Sequence, residues 1–401
     1  MIVGAGHGGA QAAGALRLAK FEGSIALLGD EVELPYERPP LSKDYLSGAK
    51  PFERLLIHPD TFWSDRDISI LSGRRVIAVD PVSHQVRCED GGEIEYGHLV
   101  WAAGGSPRTM ACSGHDLVGV HTVRTRADAD RIRAELGTTS RVVVIGGGYI
   151  GLEAAAVLAQ SGKAVTVLEA QNRVLARVAG EPLSRFYERE HQAHGVEIRL
   201  GVTVECIEEC NSRVSGVRLS DGEVLACDMV IVGIGIVPAV EPLLSAGAEG
   251  TGGVEVDGQC RTSLPDVFAI GDCASHLNRY AGETLVRLES VQNAHDQATV
   301  VAKVLTGNEA NYDVVPWFWS NQYDLRLQTV GLSTGYDETV VRGDPGTRRF
   351  SIVYLRKGQV IALDCVNATR DYVQGKRLVT DGLSVNPALL ADTTVALKTL
   401  R

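Results

Sequence analysis

The stretch Arg141–Glu169, RVVVIGGGYIGLEAAAVLAQSGKAVTVLE, is the most informative part of this chain. It opens with the apolar run 142–145, which predicts a buried parallel strand. Three glycines follow in the spacing G-x-G-x-x-G: Gly146, Gly148 and Gly151. An Ala/Leu-rich helix and a second apolar strand, 164–168, come next, and Glu169 ends that strand. This order of strand, glycine turn, helix, strand and acid predicts a βαβ unit that binds a dinucleotide.

Each part of this βαβ unit has a physical role in binding. The first glycine permits a tight turn, the second lets the backbone approach a pyrophosphate, and the third lets the helix pack closely on the strand. The amino terminus of the helix, where Tyr149 and Ile150 lie, offers unpaired N–H groups to the phosphates. A carboxylate at Glu169 suits a free ribose 2′-hydroxyl, which favours NADH over NADPH. Arg173 and Arg177 lie just beyond Glu169 and are candidates for binding a phosphate.

The amino-terminal residues carry a second copy of the same pattern. The sequence GAGHGGAQAAGALRLA begins at Gly4 and has Gly6 and Gly9 at the same spacing, with His7 and Gly8 inside the turn. The apolar strand 25–28 follows, and Asp30 provides an acid where a ribose is expected. Two such motifs in one chain predict two bound dinucleotides.

Length, net charge and cysteine pattern limit the classes of protein to which this chain can belong. The chain has 401 residues, enough for two or three domains, and its net charge of −11 argues against partners that are nucleic acids or anionic membranes. Glu153 interrupts the best apolar run, so we expect no membrane span. No secretory signal is visible, and eight cysteines without a C-x-x-C pair indicate reduced thiols, a cytoplasmic location and no metal site.

Several other segments favour contact with a cofactor. In LPYERPPLSKDYL, residues 34–46, two prolines fix the loop, and Ser42 is predicted to cap a short helix that begins near Lys43. Lys43 is either a positive charge beside a flavin or a solvated surface residue. Gly271-Asp272, after the strand of VFAIGDCA, holds a flavin ribityl chain or forms an ordinary turn. A long helix over 290–306 follows, and antiparallel strands with a helical pair are predicted from about residue 314.

These motifs together resemble one family along nearly the whole chain. Besides the two glycine turns, the resemblance covers RPPLSKDYL at 38–46, VIVGIGIVP at 230–238, AIGDCA at 269–274, RLESVQNAHDQA at 287–298 and PWFWSNQ at 316–322. The chain is similar to the FAD- and NADH-dependent ferredoxin reductases of bacterial cytochrome P450 and aromatic-ring dioxygenase systems, the putidaredoxin reductase and biphenyl dioxygenase ferredoxin reductase family. One departure is Asn321, where related chains often carry Asp.

The resemblance implies an α/β fold of the glutathione-reductase-like type, with two Rossmann-like dinucleotide-binding domains and an α+β C-terminal domain that covers the flavin. The FAD-binding domain would comprise residues 1–109 and 238–313, the NAD-binding domain residues 110–237, and the C-terminal domain residues 314–401.

The resemblance and the glycine motifs also imply the site residues. Those assigned to FAD are Gly4, Gly6, His7, Gly8, Gly9, Asp30, Arg38, Lys43, Val76, Ala103, Gly104, Arg108, Arg124, Gly271, Asp272, Val291 and Trp319. Those assigned to NAD are Gly146, Gly148, Tyr149, Ile150, Gly151, Glu153, Glu169, Arg177, Gly235 and Glu289. Lys43, beside the flavin N5, would pair with Glu153, and these two are the predicted catalytic residues.

The implied activity is hydride transfer from NADH to FAD, followed by single-electron transfer to a [2Fe–2S] ferredoxin that feeds a cytochrome P450. A dioxygenase reductase component, a rubredoxin reductase and an NADH oxidase remain alternatives, as does a redox-sensing flavoprotein. A disulfide reductase is excluded, because residues 34–46 contain no cysteine. We expect a monomer or weak homodimer whose acidic ferredoxin docks near Trp319 on a basic patch. The candidate patch residues are Arg66, Arg74, Arg75, Lys303, Lys357 and Arg370.

Overall fold

The computed structural model describes residues 1–400, and the contacts within it divide the chain into two compact units. The first unit consists of Met1–Arg38, Phe52–Ser106 and Val237–Pro316. The second consists of Pro39–Pro51, Pro107–Ile236 and the chain from Trp317 onward. Across the described residues, every helix is too short or too polar to cross a lipid bilayer.

The first unit is built on a parallel sheet of five short strands. Their order across the sheet is Val267–Ala269, Leu99–Trp101, Ile2–Val3, Ile25–Leu28 and Ile68–Leu71. Val3 is in register with Leu28 on one side and Trp101 on the other. The strands are apolar because the helices His7–Leu18 and Val291–Leu305 pack on this sheet, with Ala10, Ala13 and Ala298 fully buried.

Smaller elements complete the first unit. They are the antiparallel sheet Val76–Asp80, Gln85–Cys88 and Glu93–Glu95, the sheet Val254–Val256, Ala274–Asn278 and Thr284–Arg287, and the short helices Asp60–Ser64 and Glu241–Ser245. The segment from Glu93 to Trp101 is not one continuous strand. It is divided into Glu93–Glu95 and Leu99–Trp101, which belong to different sheets, because Gly97 and His98 turn the chain between them.

The second unit repeats the parallel arrangement. Its five strands lie in the order Glu197–Leu200, Ala164–Glu169, Arg141–Ile145, Met229–Val232 and Val120–His121. The helices of this part are Arg126–Glu135, Tyr149–Gln160 and Glu181–Ala193, and a small antiparallel sheet contains Val204–Cys210, Arg213–Leu219 and Val224–Ala226.

The C-terminal part of the second unit is an antiparallel sheet of five strands. Their order is Trp317–Gln322, Leu325–Gly331, Gln359–Val366, Arg349–Arg356 and Glu338–Asp344. The helices Thr369–Thr380 and Pro387–Ala391 follow, which confirms the predicted helical pair. Trp317–Gln322 is an edge strand, so one of its long sides has no strand partner.

Candidate functional site

The glycine turn of the second unit has the geometry that close backbone packing demands. Gly146 has φ of +107°, and a Cβ there would lie 2.4 Å from the carbonyl oxygen of Gly233. A Cβ on Gly151 would lie 2.1 Å from the Gly146 carbonyl oxygen. Gly148, the N-cap of the helix Tyr149–Gln160, makes no side-chain cap, and a Cβ there would have no neighbour closer than 3.9 Å. The helix amino terminus thus fits the pyrophosphate of a dinucleotide.

Glu169 is held at the edge of this turn by two backbone hydrogen bonds. Its Oε2 accepts from the Gly147 N–H at 2.7 Å, and its Oε1 accepts from the Gln171 N–H at 2.8 Å. Each carboxylate oxygen keeps a second lone pair for a further donor. The carboxylate is therefore fixed in place with acceptor capacity to spare, and its role at the ribose stays a prediction.

The two arginines beyond Glu169 behave differently. Arg173 donates to the Ala179 carbonyl at 2.8 Å, to the Ala176 carbonyl at 2.9 Å and to Ser184 Oγ at 2.7 Å. Its guanidinium holds its own loop together, and a phosphate-binding role for Arg173 stays untested. Arg177 is exposed, and its Nη2 lies 3.8 Å from the Cβ position of Gly235.

The glycine turn of the first unit has the same construction. Gly4 has φ of +108°, and a Cβ there would lie 2.3 Å from the Ala102 carbonyl oxygen and 2.6 Å from the Ala103 nitrogen. A Cβ on Gly9 would lie 1.9 Å from the Gly4 carbonyl oxygen. Gly6 is the N-cap of the helix His7–Leu18 and makes no side-chain cap. These backbone contacts fit a second pyrophosphate, that of FAD.

Other residues assigned to FAD gather around this turn. A Cβ on Gly8 would lie 3.6 Å from the Ala294 Cβ, and one on Gly271 would lie 3.4 Å from the same atom. The Gly271 N–H donates to Gln297 Oε1 at 2.7 Å, and the Asp272 carbonyl accepts from Arg287 at 2.8 Å. The Gly271-Asp272 turn is thus fixed against the helix Val291–Leu305, whose N-cap is Ser290.

Four more residues of the first unit were assigned to a cofactor from the sequence, namely Val76, Gly104, Arg38 and Glu289. Val76 is buried in the same apolar cluster as Val3, and Gly104 accepts from the Ala239 N–H at 2.9 Å. Arg38 pairs with Glu31 at 2.6 Å. Glu289 pairs with Arg287 at 2.7 Å within this unit, whereas the other NAD assignments lie in the second unit.

The register of the strands shows which residue of the first unit corresponds to Glu169, and it is not Asp30. Ile145 is opposite Leu168 and Val3 is opposite Leu28, so the first-unit equivalent of Glu169 is Gly29. Asp30 is one residue further along and is exposed. Its role at the FAD ribose stays a prediction.

Lys43 and Glu153 meet, although 110 positions separate them. The Lys43 Nζ lies 2.7 Å from Glu153 Oε2, and their side chains are 14% and 5% exposed. Ser42 Oγ donates to the same oxygen at 2.7 Å, and Ser320 Oγ donates to Oε1 at 2.6 Å. These donors replace the hydrogen bonds to water that a carboxylate loses when it is buried this deeply.

The predicted role of Ser42 as a helix cap is wrong. The single helical turn covers Pro39–Ser42 and ends where a helix was predicted to begin. The Lys43 N–H donates to the Pro40 carbonyl, and the Ser42 hydroxyl is directed to Glu153. The two prolines set the turn, and the long-range contact then determines the direction of Ser42 and Lys43.

Ser320 is a site residue that sequence reasoning missed. Phe318 and Ser320 are two apart on an edge strand, so they share one face. Tyr149 and Glu153 are four apart on a helix and also share one face. The rings of Tyr149 and Phe318 are 4.6 Å apart, next to the Ser320–Glu153 hydrogen bond. These matching periodicities were visible in the sequence, but nothing in it indicated that the two faces pack together.

The other FAD assignments in the second unit are Arg108, Arg124 and Trp319. The Arg108 N–H donates to the Gly235 carbonyl at 2.9 Å, and the Arg124 N–H donates to Asp128 at 3.1 Å. Trp319 is half-buried, with its ring 5.7 Å from that of Trp317. Their roles at FAD stay predictions.

Comparisons with known proteins agree with this construction. Residues 1–298 match the pyridine nucleotide-disulphide oxidoreductase family, and residues 317–401 match the reductase C-terminal family. The chain is 58% identical over 401 residues, 100% of its own length and 97% of the relative's, to the 5,5'-dehydrodivanillate O-demethylase ferredoxin reductase subunit of Sphingobium sp. (strain NBRC 103272 / SYK-6).

Two solved structures are also similar. One is the ferredoxin reductase for the CYP199A2 system from Rhodopseudomonas palustris, with a TM-score of 0.96, 42% identity, and coverage of 99% of this chain and 98% of that one. The other is the covalent putidaredoxin reductase–putidaredoxin complex, with a TM-score of 0.95, 40% identity, and coverage of 99% and 96%. The chain therefore belongs to the pyridine nucleotide-disulphide oxidoreductase family and is an oxidoreductase that binds FAD and a pyridine nucleotide.

Proposed function

We propose that this protein transfers electrons from NADH to a [2Fe–2S] ferredoxin. The observation that carries the proposal is the Lys43–Glu153 pair, held in the second unit with the glycine turn assigned to NAD. FAD, when bound, supplies the chemistry that accepts a hydride from NADH and passes electrons on singly. Lys43 supplies a fixed positive charge for the negative charge that develops during this transfer, and Glu153 orients it.

Replacing Glu169 by alanine is expected to reduce the preference for NADH. The fixed carboxylate is proposed to accept from the ribose hydroxyls, and hydrogen bonds to a charged group each contribute about 1.5–3 kcal/mol. We therefore expect kcat/KM for NADH to fall about tenfold to hundredfold, and the value for NADPH to fall less or to rise. Steady-state kinetics with both coenzymes measure the effect.

The matched control is Glu197→Ala. Glu197 is at the amino end of the neighbouring strand, opposite Thr166, whereas Glu169 is opposite Leu200 at the carboxyl end. The change removes the same charge from the end of the sheet away from the glycine turn. Equal losses for NADH and NADPH in Glu169→Ala would refute the role of Glu169 in coenzyme selection.

For the ferredoxin, we propose a docking surface on the second unit around Trp319 and Arg370. Trp319 is in register with Gln328, and Gln328 Oε1 accepts from the Thr369 hydroxyl at 2.9 Å. Arg370 follows Thr369, is exposed, and makes no ion pair or side-chain hydrogen bond with any residue from 1 to 400. It therefore offers an unneutralised charge to an acidic partner.

The other five candidates for this patch are less suitable. Arg66, Arg74, Arg75 and Lys303 belong to the first unit, where Arg74 is paired with Asp90 and Arg66 covers the Phe62 ring. Lys357 is exposed and precedes the strand Gln359–Val366, whose far end leads to Arg370. The first and last of the eight residues in this strand are about 23 Å apart.

Charge reversal at Arg370 is expected to slow ferredoxin reduction selectively. We expect Arg370→Glu to lower the second-order rate constant with ferredoxin about fivefold to tenfold at low salt, and less at high salt because exposed charges are screened. Lys357→Glu is the matched control, with the same charge change at the distant end of the strand. Equal salt dependence for Arg370→Glu and the wild type would remove Arg370 from the surface.

The activity itself is tested anaerobically with NADH, the protein and candidate ferredoxins. We expect rapid flavin reduction by NADH and rapid cytochrome c reduction only after ferredoxin is added. Ferredoxin-independent electron transfer to O₂ would favour an NADH oxidase. A stable reduced complex that no ferredoxin or rubredoxin reoxidises would favour a redox-sensing flavoprotein.

For the terminal acceptor, a cytochrome P450 is the candidate that the sequence motifs favour. A second candidate is the oxygenase of an O-demethylase system, because the Sphingobium relative named for such a system is 58% identical. Reconstitution of each oxygenase with this protein and its ferredoxin distinguishes the two by which substrate is consumed.

A further inference from the structure

A chain of buried side chains continues from Glu153 through the second unit. Ser320 Oγ, which donates to Glu153, lies 3.2 Å from Gln322 Nε2. Gln322 Oε1 lies 2.8 Å from His191 Nε2, and His191 Nδ1 lies 3.0 Å from the Tyr323 hydroxyl. Ser320, Gln322 and His191 are at most 1% exposed. The chain connects the pair at Lys43 to a tyrosine at the turn that follows the edge strand.

The hydrogen bonds in this chain have a single consistent direction. Ser320 has one hydroxyl proton, which goes to the carboxylate, so its oxygen must accept from the Gln322 amide N–H. The Gln322 carbonyl oxygen must then accept from His191 Nε2–H, which leaves Nδ1 to accept from Tyr323. Burial lowers the pKa of His191 to about 4, so the ring is neutral near pH 7, as this direction requires. Every donor in the chain is oriented toward Glu153, and aligned hydrogen bonds polarise one another.

Tyr323 occupies an unfavourable backbone conformation at the far end. Its φ is +57°, a region that bulky residues rarely adopt. Its hydroxyl bonds to His191, and its ring stacks on that of His194 with centroids 3.8 Å apart. These contacts offset the backbone strain, and the strained conformation is the one that directs the hydroxyl to His191.

We propose that Ser320, Gln322, His191 and Tyr323 form a one-directional hydrogen-bond relay that holds the Glu153 carboxylate oriented toward Lys43. They are positioning residues, because they act on the ammonium group of Lys43 through Glu153. The inference deepens the proposed function, since it rests on the role given there to Lys43.

Other titratable groups near Glu153 also contribute to any pH dependence that is measured. Tyr149, Tyr187 and Lys43 face it, and burial raises the pKa of both tyrosines, so they remain neutral. Asp364 faces the two tyrosines, and burial raises its pKa to about 7. Asp364 therefore titrates in wild type and variants alike, and only a difference between them reports on the relay.

The central test uses Ser320→Ala, with Ser320→Thr as the rescue variant that keeps the hydroxyl. The first measurement is the acylation rate of the Lys43 amine by an amine-reactive ester, followed by mass spectrometry of the protein without coenzyme. Ser320→Ala removes a charge-assisted hydrogen bond that orients Glu153, so the carboxylate is free to turn away from Lys43, and we expect Lys43 to be acylated about tenfold faster. Ser320→Thr is expected to retain the wild-type rate.

The second measurement is the rate of flavin reduction by NADH between about pH 5.5 and 8.5. Loss of the Ser320 donor leaves one fewer hydrogen bond to hold the Glu153 carboxylate in its orientation toward Lys43. The rate and its pH profile in Ser320→Ala should therefore differ from those of the wild type, and Ser320→Thr should restore them. His191→Phe, which interrupts the relay two residues further away, should change both measurements in the same direction by a smaller factor.

Ser351→Ala is the matched control. Ser351 is fully buried in the same sheet, and its hydroxyl donates to Asp371 at 3.1 Å, outside the relay. If Ser320→Ala shows wild-type acylation of Lys43 and a wild-type pH profile, and differs from Ser351→Ala only in melting temperature, the relay is refuted. Failure of the proposed function has a different signature. In that case Lys43→Ala leaves flavin reduction unchanged, while the acylation of Lys43 still depends on Ser320.

Discussion

Replacing Lys43 by alanine is expected to slow the reduction of the bound flavin by NADH about 10²- to 10³-fold, with little change in the affinity for NADH. The Nζ is fixed at 2.7 Å from Glu153 in a largely buried position, so it supplies a preorganised positive charge without a cost of reorganisation during the reaction. Removal of one such group from an active site typically lowers kcat by this factor. Anaerobic stopped-flow measurement of flavin bleaching at saturating NADH determines the rate.

The effects of replacing Glu153 and Lys43 on the rate of flavin reduction should be coupled. Glu153→Gln keeps the volume of the side chain and an acceptor for Ser42, but it removes the charge that holds the ammonium group. The combined variant should lose less than the product of the two single losses, because the residues act as a unit. Lys376→Ala, which removes an ammonium group from the helix Thr369–Thr380, is the control. Wild-type rates in both single variants would show that the pair has no role in the reaction.

The second large effect is expected at the glycines that close the two turns. Gly9→Ala should give a protein that lacks FAD when purified, because the new Cβ would lie 1.9 Å from the Gly4 carbonyl oxygen and must displace the turn. Gly151→Ala should retain FAD and lose NADH binding, since its Cβ would lie 2.1 Å from the Gly146 carbonyl oxygen. We expect the dissociation constant for NADH to rise at least about hundredfold, with a loss of stability of about 2–4 kcal/mol.

The controls are alanine substitutions at glycines that have free space. A Cβ on Gly97 in the first unit or on Gly137 in the second would meet no atom within 4 Å, and neither residue has a positive φ. The flavin-to-protein ratio and an NADH titration measure the two outcomes. A yellow Gly9→Ala protein with full flavin content, or a Gly151→Ala protein with normal NADH affinity, would contradict the assignment of the corresponding turn.

The local elements and the class of fold followed from the sequence. Buried strands such as Arg141–Ile145 consist mainly of a continuous apolar run. Helices such as Tyr149–Gln160 follow glycines, and the spacing of those glycines indicates close packing of the backbone. Both signals arise from short-range physics: the period of apolar residues, and the lack of space for a Cβ at Gly9 and Gly151, which meet the carbonyl oxygens of Gly4 and Gly146 nearby in the chain.

Contacts between distant segments were decided by the tertiary structure alone. The prolines of 39–42 predicted a rigid loop, but whether Ser42 caps a helix or bonds to a carboxylate depends on Glu153, which lies 111 positions away. The periodicities of strand Trp317–Gln322 and helix Tyr149–Gln160 define one face on each element. They do not show that these two faces pack against each other. The sequence alone therefore determined which residues could form the nucleotide turns. Only packing determined that Ser42, Lys43 and Ser320 converge on one buried carboxylate, because the desolvated charge of Glu153 is stabilised where donors from two distant segments meet.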